Sequence, residues 1–143
     1  MSDYPGLLEI LQAQCDVHLK QLAIEEEKTR VLLGGDAKDL LPLLNDQQAL
    51  LMQSRELEKQ RCVICSGTAY PTLRELVDSS VEHKTRFGTV FETLSAAVMA
   101  LKKKCGQNKK LLETRAATIR FLLGQSGQEA GANTYTKNVQ AKG

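Results

Sequence analysis

Apolar residues recur every three or four positions along most of the chain, and this spacing predicts amphipathic helices. The first helix is expected over about residues 4–33, ending at the glycine pair 34–35, where glycine can close a helix end. Its predicted inner face carries Leu7, Leu8, Leu11, Cys15, Leu19, Leu22, Val31 and Leu32. The second helix is expected over about 39–65, because Pro42 is tolerated in a first turn if Asp39 is the N-cap.

A capping box marks the start of a third helix, in which the Thr72 hydroxyl can accept from a backbone amide while Glu75 reaches back. We expect this helix over about 72–82 and a fourth over about 84–123, because the apolar spacing passes through Gly106 without losing phase. At about 1.5 Å per residue the fourth helix is roughly 60 Å long. A compact domain cannot cover its whole apolar stripe, so part of the stripe is expected to have another partner.

Composition supports an all-α fold, because aromatic residues make up only 4% of a chain that is 42% hydrophobic. We expect one helical domain over 1–123, an antiparallel bundle or coiled coil of three to four helices with one very long C-terminal helix. Residues 124–143 are polar, with Tyr135 and Val139 as the large apolar exceptions. They are therefore predicted to form a flexible tail.

The chain as a whole has no strong electrostatic field, since it contains 19 Lys and Arg and 17 Asp and Glu, a net charge of +2. We therefore expect no nucleic-acid partner. No apolar run reaches the 18 to 20 residues that a membrane span needs, so a cytoplasmic protein without membrane insertion is expected. The basic residues between Lys102 and Arg120, and the stretch 25–30 with acid–base pairs such as Glu26 with Arg30, are interpreted as solvated helix faces.

Cys62 and Cys65 have the one spacing that suggests chemistry, because two thiols three residues apart can supply half a tetrahedral zinc site or a redox pair. Zinc would need two more ligands, and the chain offers Cys15, Cys105, His18 and His83 without a second close pair. A thioredoxin-like pair would need a βαβ setting. We interpret both thiols as small apolar residues, and expect no metal, no cofactor and no catalytic residues, hence no enzyme.

Several segments, in this order, resemble the FlgN-type flagellar export chaperones. The first half matches in an acidic end of the first helix, a short gap, a Leu-Leu segment and a charged segment: Glu25-Glu26-Glu27, Gly35-Asp36, Asp46-Gln47-Gln48-Ala49-Leu50-Leu51 and Leu57-Glu58-Lys59-Gln60-Arg61. A lysine is common in the family where Gln47 stands. Downstream, residues 108–112 are similar to the family's Asn-x-x-Asn-x-x-Leu-Leu, with Cys105 replacing the first asparagine. Tyr135 is similar to a tail tyrosine that glycine usually follows, where this chain has Thr136.

The resemblance implies a cytosolic chaperone for proteins of the junction between flagellar hook and filament. Such a chaperone holds the C-terminal helical segment of an unassembled substrate, prevents its premature assembly and delivers it to the cytoplasmic domain of the export gate. In members of the family, the C-terminal helix binds the substrate and the tail around the tyrosine contacts the gate. The resemblance implies that Tyr135 is this tyrosine here.

The stripe of the long helix supplies the candidate residues for substrate binding, since an amphipathic partner can pack on it as in a coiled coil. They are Val98, Leu101, Asn108, Leu111, Leu112, Ile119, Leu122 and Leu123. Asn108 is expected to set the register of the partner, as a buried polar residue can. The same residues could instead pack within the chain or in a homodimer, and a coiled-coil scaffold is the alternative function. Glu58 and Arg61 are interpreted as an ion pair.

Overall fold

The computed structural model describes residues 4–67, 70 and 72–125. Four α-helices and a short 3-10 helix make up this part of the chain, and it contains no strand. They are α1 (Tyr4–Gly34), the 3-10 helix (Ala37–Asp39), α2 (Leu40–Ser66), α3 (Leu73–Asp78) and α4 (Val81–Gln125). The predicted all-α fold with a very long C-terminal helix is confirmed.

The helix starts follow from short polar side chains that bind exposed backbone amides. Asp36 caps the 3-10 helix by accepting a hydrogen bond from the N–H of Lys38 at 3.1 Å. Asp39 precedes α2, so Pro42 lies in the first turn as expected, although the Asp39 side chain makes no capping bond. Thr72 Oγ1 accepts from the N–H of Glu75 at 3.2 Å and starts α3. This helix ends at Asp78, four residues before the expected position, and α4 begins at Val81.

The first helix lies between the two other long helices, and its contacts fix their directions. Gln14 binds Glu58, and Lys28 binds Gln47, so α1 and α2 run antiparallel. In contrast, α1 and α4 run parallel, because the Tyr4 ring lies 6.0 Å from the Phe87 ring near both helix starts and Thr29 binds Asn108 farther along both helices. Because α2 runs opposite to both α1 and α4, successive long helices are antiparallel, as expected for the bundle. The parallel pair arises because α2 returns the chain to the end of the molecule where α1 begins, and the short α3 packs at that same end before α4 starts.

The apolar core lies at the end of the molecule where α1 and α4 begin. It consists of Leu7, Leu11, Cys65, Leu76, Val77 and Phe87. Because α1 has a helix on each side, its buried surface is wider than one stripe: Val17 is 2% exposed. Leu19, expected on the inner face, is 49% exposed, since it points away from both neighbours. That prediction was wrong for this residue.

The fourth helix extends well past the end of the first. It continues through Gly106 without a break, and its 45 residues correspond to about 68 Å. Thr29 and Asn108 are hydrogen-bonded, yet α1 ends five residues after Thr29 and α4 ends 17 residues after Asn108. Gly124 and Gln125, expected in the tail, still belong to the helix, and the rest of the expected tail lies outside the described residues. The excess length of α4 therefore extends beyond α1.

Candidate functional site

The residues expected to bind a partner occupy three different environments along α4. Asn108 is buried, at 1% exposure. Val98, Leu101, Leu111 and Leu123 are half-buried. Leu112, Ile119 and Leu122 are 45%, 56% and 56% exposed. Tyr135 lies outside the described residues. The stripe that the sequence identified as one surface is thus divided between contacts within the chain and exposed positions.

Asn108 is held by the first helix. Its Nδ2 donates to the backbone oxygen of Glu25 and to Glu25 Oε2, both at 2.7 Å. Its Oδ1 accepts from the Thr29 hydroxyl at 2.6 Å. These bonds join residues 79 and 83 positions apart in the chain. In this structure Asn108 therefore sets the register of α4 on α1, the task that the sequence argument gave it toward a partner.

The Glu25 carboxylate gathers donors from all three long helices, and we call Glu25, Lys28, Thr29, Gln47 and Asn108 the Glu25 cluster. Besides Asn108, Lys28 Nζ donates to Glu25 Oε1 at 3.0 Å and Gln47 Nε2 donates to the same oxygen at 3.3 Å. Glu25 is 3% exposed, so its charge is stabilised by these donors rather than by water. The cluster ties α1, α2 and α4 together at one point.

Sequence reasoning missed the Glu25 cluster by interpreting residues 25–30 as a solvated face. Glu25 and Lys28 are buried, and Arg30 pairs with Glu27 rather than with Glu26. A signal was present in the spacing, because Glu25 follows Leu22 by three positions and precedes Leu32 by seven, in phase with the inner face of α1. Nearby, partial desolvation and the Glu25 charge raise the pKa of the otherwise exposed Cys105 thiol.

Beyond Leu111 the stripe of α4 continues in solvent. We call residues 112–125 the α4 projection. Leu112, Ile119 and Leu122 follow Asn108 at spacings of four, seven and three, so they lie on the face that packs against α1 farther back. Every side chain from Leu112 to Leu122 is exposed. An apolar stripe that begins inside a core and continues into solvent is typical of a protein-binding surface.

A groove of about 500 Å³ opens between α2 and α4, with α1 as its floor. Its residues include Gln14 and His18 of α1, Glu58 and Arg61 of α2, Leu73 and Arg74 of α3, and Phe91, Leu94, Val98 and Met99 of α4. Glu58 and Arg61 form the expected ion pair, with Arg61 Nε donating to Glu58 Oε2 at 2.9 Å. This bond lowers the pKa of Glu58, to which the Gln14 amide also contributes, and it raises the pKa of Arg61.

The two closely spaced thiols lie in the last turns of α2, where the sequence predicted them to be small packing residues. Cys65 is buried in the core, whereas Cys62 is exposed beside Glu58 and Arg61. Among residues 4–67, 70 and 72–125, no three His, Cys, Asp or Glu side chains come close enough to hold a metal ion. In the same part of the chain, no helix is both long and apolar enough to cross a membrane.

Comparison with known proteins agrees with the sequence resemblance. The FlgN protein family model matches residues 1–143, the full chain given. The chain is also similar to the "Uncharacterized protein YvyG" of Bacillus subtilis (strain 168), at 24% identity over 144 residues, covering 96% of this chain and 89% of that relative. No solved structure matches significantly. The match over the whole chain shows that this protein belongs to the FlgN family, a family of flagellar chaperones.

Proposed function

We propose that this protein is a cytoplasmic export chaperone for the proteins of the hook–filament junction. It binds the C-terminal helical segment of an unassembled junction protein, prevents premature assembly and delivers the segment to the cytoplasmic domain of the export gate. Family membership supports the chaperone role, and the α4 projection supplies the binding surface. No step of this cycle uses a cofactor or a catalytic residue.

The observation that carries the proposal is the apolar stripe of the α4 projection. Ile119 and Leu122 are each 56% exposed, on a face that is buried nearer the middle of the helix. An amphipathic segment of a substrate can cover these side chains by helix–helix packing and thereby bury its own apolar face. Val98 and Leu101 extend the surface toward the bundle, and Leu111, Leu112 and Leu123 complete it. Asn108 takes part only if it leaves the Glu25 cluster, because its amide is fully used there.

Substitution of Ile119 by aspartate tests this surface. Titration calorimetry with the C-terminal segment of a hook–filament junction protein should show at least tenfold weaker binding to Ile119→Asp than to the wild type. The reason is that a carboxylate in the middle of an apolar contact loses its hydration when the segment binds. The melting temperature should stay unchanged, since Ile119 is exposed in the free protein.

Val81→Asp is the matched control for this substitution. Val81 is also a β-branched residue on α4 and is 83% exposed, but it lies at the first turn, far from the projection. Aspartate is well tolerated at a helix start because it interacts favourably with the helix dipole. Equal loss of binding in both variants, or full binding by Ile119→Asp, would contradict the proposed surface.

Tyr135 is proposed to contact the export gate, as the family resemblance implies. Tyr135→Ala should keep the affinity for the junction-protein segment and weaken binding to the isolated cytoplasmic domain of the gate. A parallel loss of both activities would place Tyr135 at the substrate surface instead.

A coiled-coil scaffold remains the alternative function, in which the stripe of the α4 projection is covered by a second copy. Light scattering distinguishes the two functions. A chaperone should bind the junction-protein segment with a corresponding gain in mass. A stable dimer whose mass does not respond to the segment would favour the scaffold.

A further inference from the structure

The groove between α2 and α4 lies apart from the α4 projection and shares only Val98 with the proposed substrate surface. We propose that this groove binds an acidic amphipathic helix of a partner protein. Its occupant is recognised by an apolar wall on α4, a basic rim and a buried polar floor. The inference does not depend on the identity of any exported substrate.

The shape of the groove fits a helix. Within the described part of the chain, α2 and α4 both pack on α1 and leave a gap between themselves. Phe91, Leu94 and Val98 form one wall at spacings of three and four residues. This wall extends about 10 Å along α4, the distance between positions i and i+7 of a partner helix. A helix with apolar residues at i, i+3 or i+4, and i+7 would therefore fill the groove and pack beside the three long helices.

The charges around the groove favour carboxylates on the occupant. The Arg74 guanidinium lies 5.7 Å from the centre of the Phe91 ring and forms no ion pair with any described residue. The one carboxylate that lines the groove, Glu58, already binds Arg61 and Gln14. Lys102, exposed, follows Val98 by one helical turn on the same side of α4. Acidic residues flanking the apolar face of the occupant would meet these unpaired cations.

Gln14 provides the polar floor of the groove. It is 5% exposed, and its Nε2 donates to Glu58 Oε2 at 2.8 Å. Its Oε1 is buried and accepts no hydrogen bond from the described residues. An unsatisfied buried acceptor destabilises the structure that contains it. A donor on the bound helix, such as a threonine hydroxyl on its apolar face, would satisfy this acceptor.

A second copy of this chain fits the groove poorly. The exposed apolar residues of a second copy lie mainly on α2, whose three carboxylates are balanced by three cations, and on the α4 projection, which carries Arg115 and Arg120 against a single carboxylate, Glu113. These arginines would approach Arg74 and Lys102 and repel them. The charge of the groove therefore points to another protein rather than to self-association.

The test uses two labelled 18-residue helical peptides with the same leucine and threonine face, one with glutamates and one with lysines on its flanks. Fluorescence anisotropy with the full chain should show at least tenfold tighter binding of the glutamate peptide. Arg74→Glu should weaken binding of this peptide about five- to tenfold and strengthen binding of the lysine peptide, because attraction becomes repulsion at the rim. The affinities of Arg74→Gln for both peptides should lie between those of the wild type and those of Arg74→Glu. Because Arg74 is exposed, the melting temperature should change little in both variants.

Arg86→Glu is the matched control. The Arg86 guanidinium lies 5.8 Å from the centre of the Phe87 ring, nearly the same geometry, but on a different face of the bundle beside Cys15 and Val90. Arg86→Glu makes the same change in net charge as Arg74→Glu, and it should alter the affinity for neither peptide by more than twofold. In NMR spectra of the full chain, the side-chain amide signals of Gln14 should shift when the glutamate peptide binds.

Three results would overturn the inference. One is equal binding of the two peptides to the wild type. Another is an equal loss of affinity for the glutamate peptide in Arg74→Glu and Arg86→Glu, which would show that binding responds only to the net charge of the protein. The third is that Ile119→Asp loses binding of the glutamate peptide while Arg74→Glu keeps it, which would place the peptide on the α4 projection.

Discussion

Two lengths of the same helix, α4, have the same apolar spacing and opposite surroundings. Between Val81 and Leu111 the stripe packs on α1, and Phe87 and Asn108 are almost completely buried. In the α4 projection the stripe continues in phase, yet Ile119 and Leu122 are more than half exposed. Periodicity thus identifies the apolar face of a helix, whereas the end of the neighbouring helix decides how much of that face is buried.

The difference also separates stability from binding. The packed length supplies buried apolar area and the bonds of the Glu25 cluster, and both favour the folded state. The projection adds little of either, and its helix is sustained by propagation from the packed turns before it. Substitutions should therefore change mainly the free energy of unfolding in the packed length and mainly partner binding in the projection.

The largest expected effect comes from Phe87→Ala. Phe87 is 0% exposed at the centre of the core, and removing its ring should lower the free energy of unfolding by about 3–5 kcal/mol. Phe121→Ala is the counterpart in the projection, where the ring is 62% exposed, and should change this free energy by less than about 0.5 kcal/mol. Urea denaturation of both variants measures the contrast, and similar losses would mean that the projection is packed in solution.

Asn108→Ala should have the next largest effect. It removes the α4 donor from the buried Glu25 carboxylate and the acceptor of the Thr29 hydroxyl, at about 1–3 kcal/mol. Gln107→Ala, at the exposed neighbouring position, is the control and should be nearly neutral. The same urea denaturation compares the two. A neutral Asn108→Ala would show that the Glu25 cluster does not hold α4 on α1.

A smaller, pH-dependent effect is expected for Glu58→Gln at the groove. The pKa of Glu58 is lowered below its ordinary value of 4.5, chiefly by Arg61, so the ionised carboxylate stabilises the fold. This stabilisation is complete above pH 4.5 and disappears as the pH falls through the lowered pKa. The Glu58 side chain is 52% exposed, so water weakens the effect to at most about 1 kcal/mol.

Denaturation at several pH values tests Glu58. Glu58→Gln should be less stable than the wild type at pH 7, and the difference should shrink as the pH falls below 4.5 through the lowered pKa of Glu58. Glu113→Gln in the exposed projection controls for the lost charge and should differ less from the wild type at neutral pH. A difference for Glu58→Gln that stays constant from pH 7 to pH 3 would contradict the assigned ion pair.

The smallest effect on stability is expected from a chain that ends at Leu111. It retains the Glu25 cluster and loses only the projection and the residues beyond, so its free energy of unfolding should stay within about 0.5 kcal/mol of the wild type. It should nevertheless lose the binding of the junction-protein segment. A chain that ends at Gly106 is the comparison, because it also loses Asn108 and should be clearly less stable in urea.

Much of the local structure followed from the sequence. The spacing of leucines predicted the long helices, and Thr72 with Glu75 marked the start of α3 because a capping hydroxyl acts over three residues. The unbroken phase through Gly106 indicated that α4 is one helix. The sequence located the proposed binding surface on α4, but it did not predict the division of this surface into buried and exposed parts.

What the sequence left open depends on contacts between residues far apart in the chain. Glu25 looks like a surface carboxylate until Gln47 and Asn108 are brought to it from two other helices. Leu19 follows the helical spacing and is still exposed, because the positions of two neighbours decide which sides of α1 are covered. Spacing alone carries no information on these neighbours.

The sequence by itself therefore determined the all-α class, the great length of α4 and the face on which its apolar residues lie. These features arise from interactions within a few turns of one helix. The parallel pairing of α1 with α4, the buried Glu25 cluster and the groove between α2 and α4 were decided only by the tertiary structure. They depend on where each helix ends and which others pack beside it, and such long-range contacts leave no periodic signal in the chain.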